Sequence, residues 1–174
     1  FLMGGKLSNI MNEKENDQIL LGLFGINQLD ISSLSNFISE NKESIEVNND
    51  KFEKITSNNL TLIRPLFTSE SNIKAIMSNT FSGAMGFIYQ LDDQLLSFKD
   101  ENNLKQFEAI CKYQSFVGVP VLIFQKGDND ESFKEVLGLL GINQGKTVKV
   151  FKYNTETGSG VKEGLQWLTS ALYE

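Results

Sequence analysis

From Gln18 onward, short apolar runs alternate with segments of helical spacing. Ile19-Leu20-Leu21-Gly22-Leu23-Phe24 is a compact apolar run, the pattern of a strand covered on both faces. Ile31 to Glu40 has helical spacing at Leu34, Phe37 and Ile38, with Asp30 or Ser32 as the N-cap. The charged segment Ile45 to Ser57 predicts an exposed edge strand. Leu60-Thr61-Leu62-Ile63 reads as a strand, and Ser69 or Ser71 caps a helix through Ile73, Ile76 and Met77. A strand Gly86-Phe87-Ile88-Tyr89 lies within Ala84 to Leu91. A helix over Leu104 to Phe116 follows, with Leu104, Phe107, Ile110 and Cys111 on one face. Val119 to Phe124 is the clearest buried strand. Ser132 to Leu140 is helical and Val148 to Phe151 a strand. Val161 to Tyr173 closes the chain as a helix, with Leu165, Leu168 and Leu172 inward and Trp167 alongside. Strands separated by helices predict an α/β fold. The expectation is a doubly wound, mostly parallel, six-stranded sheet with helices on both faces. Residues 1–16 are set apart as an N-terminal arm or amphipathic helix, and 17–174 as one domain.

Composition then narrows the chemistry. The 174 residues include no histidine, one cysteine (Cys111) and one arginine (Arg64). No Ser-His-Asp triad, imidazole base or histidine-held zinc can be built. A lone cysteine makes no internal disulfide, which favours an intracellular setting. The net charge of -6 and the single guanidinium argue against nucleic-acid partners and against bidentate phosphate clamps. No apolar run reaches the length of a membrane span. Asp92-Asp93 and Asp128-Asn129-Asp130 match no calcium-loop register and read as solvated loops. Met3-Gly4-Gly5-Lys6-Leu7-Ser8 fits an acyl-acceptor pattern with Gly4 as the acceptor, provided Met3 is the initiator. Phe1 and Leu2 before it read either as a tag remnant or as the trace of presequence cleavage. The expected location is cytoplasmic or membrane-peripheral, with a mitochondrial one as the alternative.

Three stretches carry a resemblance. Val119-Pro-Val-Leu-Ile-Phe-Gln-Lys-Gly-Asp128 resembles a strand followed by the guanine-recognition motif N-K-x-D. Gly158-Ser-Gly-Val-Lys-Glu-Gly-Leu-Gln-Trp-Leu168 resembles a last loop and helix with an E-G-L-x-W-L run, and Gly86-Phe-Ile-Tyr-Gln-Leu-Asp-Asp93 a central strand ending in aspartate. Together they resemble the small GTPases of the ADP-ribosylation factor and factor-like group over Gln18 to Leu172. The resemblance implies a phosphate loop after the first strand, G-x-x-x-x-G-K-[ST]. Its backbone N–H groups, lysine and hydroxyl hold phosphates and magnesium.

Those positions are altered here. Counting from Gly22, the second glycine is Asn27, the lysine is Gln28 and the magnesium hydroxyl is Leu29. Counting from Gly25 recovers only Ser32, with Asp30 and Ile31 where glycine and lysine belong. The D-x-x-G motif falls at Leu66 to Ser69, so its aspartate is Leu66 and its glycine is Ser69; the following water-orienting position is Glu70. The first-switch threonine belongs near Glu46-Val47, and no threonine lies between Leu29 and Thr56. The guanine motif keeps Lys126 and Asp128, with Gln125 in place of asparagine. The expectation is a degenerate member that does not hydrolyse GTP. It would hold no metal or cofactor and act as a structural or protein-interaction subunit or adaptor of a larger assembly. Leu29 and Leu66 are expected to fix its switch surfaces in one conformation. The alternative is an atypical guanine-nucleotide-binding regulator of trafficking that uses GTP or GDP with magnesium. Peripheral membrane contact through the arm is the further expectation about partners.

Overall fold

The computed structural model describes residues 18–25, 28–47, 50–66, 81, 83–92, 118–127, 130–139, 145 and 147–174. Its strands are β1 (Ile19–Gly25), β2 (Asn41–Val47), β3 (Asp50–Ser57), β4 (Leu60–Pro65), β5 (Gly86–Asp92), β6 (Val121–Lys126) and β7 (Val148–Tyr153). The described helices are α1 (Gln28–Ile38), α2 (Asp130–Leu139) and α3 (Val161–Ala171). They form one seven-stranded sheet in the order β2-β3-β4-β1-β5-β6-β7. β2, β3 and β4 pair antiparallel. β4, β1, β5, β6 and β7 run parallel. The expected α/β, mostly parallel sheet is therefore present. It has a seventh strand because the segment read as one edge strand is a hairpin, β2 and β3.

β1 is buried along its whole length, as its unbroken apolar run requires. Its alternate residues serve two different faces. Leu21 and Leu23 join Ile31, Leu34 and Ile38 of α1 and Val161 and Leu168 of α3 in one core. On the opposite face the rings of Phe24, Phe81 and Phe87 pack at tilted to edge-on angles, with centroids 5.0 to 6.2 Å apart. Trp167 is half-buried on α3, 6.4 Å from the Phe151 ring. Arg64 is buried and tied to Glu53 Oε2 at 3.2 Å and Ser32 Oγ at 3.1 Å, so the only guanidinium joins β4 to β3 and α1.

Several boundaries differ from the sequence reading by a few residues, and three of the differences are informative. α1 starts at Gln28, not at Ile31, so both N-cap candidates, Asp30 and Ser32, lie within the helix. Leu29 is 79% exposed and sends no signal of a buried face. β5 runs on to Asp92. β6 begins at Val121, after Pro120, which has no N–H for the ladder and instead accepts from Phe87 N through its carbonyl at 3.0 Å. The helices expected at Ser69 to Met77 and Leu104 to Phe116, Cys111, and the N-terminal arm lie outside the described residues.

Candidate functional site at the carboxyl edge of the sheet

In an open parallel sheet, ligands bind beyond the carboxyl ends of the strands, where the strand order reverses. Here that point lies between β1 and β5, with β4 and β6 on either side. Gly25, Pro65, Asp92, Lys126 and Tyr153 end the five parallel strands at this edge.

The positions singled out in the sequence fall as follows. Gly22 sits inside β1, in register with Ile63 of β4 and Phe87 of β5. A Cβ there would lie 2.6 Å from the Phe87 ring and 2.8 Å from the Phe24 ring. Its missing side chain is thus space for the aromatic layer. β1 ends at Gly25 and α1 begins at Gln28, so two residues connect them. Asn27 lies outside the described residues, as do Ser69, Glu70, Asp128 and Gly4. Gln28 is the first residue of α1. Leu29 is 79% and Leu66 41% exposed, which corrects the expectation that these leucines pack to hold neighbouring segments. Leu66 is anchored through its backbone, its N–H donating to Lys51 O at 2.9 Å.

The two described members of the base motif are both engaged within the chain. Gln125 is buried, and its Nε2 donates to Gly127 O at 3.4 Å. Lys126 Nζ donates to Asp30 Oδ1 at 2.9 Å and Oδ2 at 3.1 Å. Asp30 lies in the first turn of α1 with its side chain only 10% exposed. A negative charge suits that end of a helix. The sequence offers Asp30 as an N-cap candidate and as the residue at a phosphate-loop glycine position, whereas it lies inside the first turn of the helix. Its pairing with a residue 96 positions away carries no sequence signal.

A second ion pair continues the edge. Lys152 Nζ lies 3.0 Å from Asp130 Oδ1 and donates to Oδ2 at 3.1 Å. The hydrogen bond from Lys152 holds the Asp130 carboxyl below the usual carboxylate range. Partial desolvation opposes that shift, while the charge of Lys152, a hydrogen bond with Gln125 and the charge of Lys134 add to it.

The fit to magnesium is poor. The two positions that would supply a hydroxyl and a carboxylate are leucines, and Asp30 and Asp130 are each paired with a lysine. Among the described residues no group of three or more metal-binding side chains occurs. No described helix is long and apolar enough to cross a membrane. An open groove of about 860 Å³ lies elsewhere, between Phe37 and Ile38 of α1 and Val161 and Leu165 of α3, and neither Asp30 nor Lys126 lines it.

This architecture is that of the small GTPases, mostly parallel with an antiparallel hairpin at one side. Three solved structures give the likeness a scale. The first is the ADP-ribosylation-factor-like GTP-binding protein (small COPII coat GTPase SAR1) of Encephalitozoon cuniculi in complex with GDP. It superposes with a TM-score of 0.63 at 12% identity, over 92% of this chain and 82% of that one. The Arl6 (BBS3) small GTPase of Trypanosoma brucei with bound GppNp gives 0.57 at 13% identity, over 90% and 98%. The translation elongation factor SelB of Methanococcus maripaludis with GppNHp gives 0.58 at 16% identity, over 91% of this chain but 34% of that one. These likenesses show the fold. No protein-family profile matches the chain, and no curated protein matches it in sequence.

Proposed function

We propose that the chain is a catalytically inactive, Arf-like pseudo-GTPase that serves as a protein-interaction or structural subunit of a larger assembly. The observation that carries this reading is the β1–α1 connection. A phosphate cradle places several successive backbone N–H groups around the anion, with a lysine reaching over it. Two residues between Gly25 and Gln28 are too few for such a cradle, and no lysine stands at either counted position. Charge-assisted phosphate bonds supply much of a nucleotide's affinity, so a base contact alone would be weak. The two exposed leucines at the same edge suit a protein surface better than a phosphate or magnesium site.

The GDP and GTP-analogue complexes of the structural neighbours motivate the rival reading, an atypical nucleotide-binding regulator. Native protein, purified without added nucleotide, is denatured and its released small molecules are chromatographed. The pseudo-GTPase reading expects traces far below one equivalent of guanine nucleotide. Near-equimolar GDP or GTP favours the regulator. The interaction role is tested separately, by whether the native protein elutes as a stoichiometric complex with a defined protein partner. Acylation of Gly4 and peripheral membrane contact belong to the same proposal and are settled by mass spectrometry of the native N-terminus.

A further inference from the structure

The carboxyl edge of a parallel sheet is where strands end and helices begin without sharing backbone hydrogen bonds. In ligand-binding folds of this kind a bound molecule spans that gap. Here the chain spans it with its own charges. Asp30, at the start of α1, holds Lys126, at the end of β6, through both carboxylate oxygens. Asp130, at the start of α2, holds Lys152, near the end of β7. In each pair the carboxylate lies in the first turn of a helix, where the backbone dipole favours it.

The two pairs differ in environment. The Asp130 and Lys152 side chains are 54% and 48% exposed, so water and salt screen their attraction. Those of Asp30 and Lys126 are 10% and 37% exposed. Their attraction is screened less, and removing Lys126 takes a counter-charge from a carboxylate that water reaches poorly. Apolar packing holds one side of this turn: Ile31, Leu34 and Ile38 sit in the core, whereas Leu29 projects outward and contributes no such anchor.

We infer that the Asp30–Lys126 pair is a built-in clasp that joins the start of α1 to the end of β6 and orders the ligand edge with no ligand bound. The inference rests on the proposed function in one respect, that no nucleotide does the joining. The clasp spans elements that no ladder connects, and it uses the lysine that the resemblance assigns to base recognition.

The test is amide hydrogen exchange on the full chain, free of nucleotide, for wild type, Asp30→Asn, Lys126→Met and the double variant. Lys126→Met is the discriminating arm, because it changes nothing within α1 itself. It is expected to speed exchange roughly tenfold at the first hydrogen-bonded amides of α1, Ser32 to Leu34, while amides of β1 and β4 keep their protection. The double variant is expected to exchange no faster than the faster single variant, since one shared contact is lost in each. Unchanged exchange in α1 on Lys126→Met overturns the clasp. So does a double variant whose acceleration is the product of the two singles. A separate arm adds GDP and magnesium to wild type. Protection there would overturn the pseudo-GTPase reading, while the nucleotide-free comparison would still decide the clasp.

Discussion

Two strand-to-helix connections in this fold can be set side by side, β1 to α1 and β7 to α3. Both lead from a parallel strand to a helix packed on the same core. The second keeps every feature its geometry demands. Asn154 Oδ1 accepts from the N–H groups of Glu156 at 2.8 Å and Thr157 at 2.9 Å. Gly160 holds φ +93°, and a Cβ on it would lie 2.0 Å from the Lys152 carbonyl oxygen. Gly164 makes room for the Phe124 ring. The first connection has two residues, and an acid stands in the helix turn that follows. The contrast separates two kinds of constraint. Residues that the chain needs for its own packing stay where the fold is formed. Residues needed only by a bound anion have no such support, and on the reading proposed here they have gone.

The comparison can be broken most severely at Gly160. Gly160→Ala would place a side chain against the carbonyl of Lys152 and force a left-handed backbone on alanine. A loss of about 3 kcal/mol in urea unfolding is expected. A neutral outcome would mean that the loop is not held as described. Gly22 is the next position. Gly22→Ala presses on Phe87 and Phe24 and is expected to cost about 2 kcal/mol. A phosphate-loop glycine would show the opposite signature, little change in stability and a fall in nucleotide affinity.

The start of α1 offers a matched pair. Ile31→Ala empties a fully buried site and should cost about 3 kcal/mol, whereas Leu29→Ser should stay within about 0.5 kcal/mol. Equal costs would show that Leu29 is covered in solution, for instance by another part of the chain. The smallest effect concerns acid. Asp130 has its carboxyl pKa depressed in the fold, so its contribution is present above the unfolded value near 3.8 and fades as pH falls through the folded value. Asp130→Asn should lower the urea midpoint slightly at neutral pH and converge with wild type as the pH drops below that range. A gap that persists unchanged in acid would assign the effect to something other than the Lys152 contact.

Legibility from sequence followed burial. β1 and β6 were readable because both of their faces are covered and the apolar run is continuous. The hairpin looks like one strand in the sequence because its outer half is polar and exposed, so nothing in β2 marks a buried face. The start of α1 is equally hard to read, because the exposed Leu29 breaks the apolar spacing that begins at Ile31. The altered phosphate-loop positions were visible by counting from Gly22. The apolar run also puts Gly22 inside a strand; that its missing side chain leaves room for the Phe87 and Phe24 rings is not legible, because it depends on the register with β5. The Asp30–Lys126 pair was beyond reach. Ion pairs between distant residues depend on the register of the whole sheet, which no local pattern encodes.

The central claim of the proposed function is that the carboxyl edge of this sheet is closed by the chain itself and takes up no guanine nucleotide. Equilibrium titration of the purified, nucleotide-free protein with GDP and magnesium tests it most directly. The account predicts no saturable binding up to about millimolar nucleotide and no change in the unfolding midpoint. A dissociation constant of about a micromolar or tighter, with a matching rise in that midpoint, would contradict it.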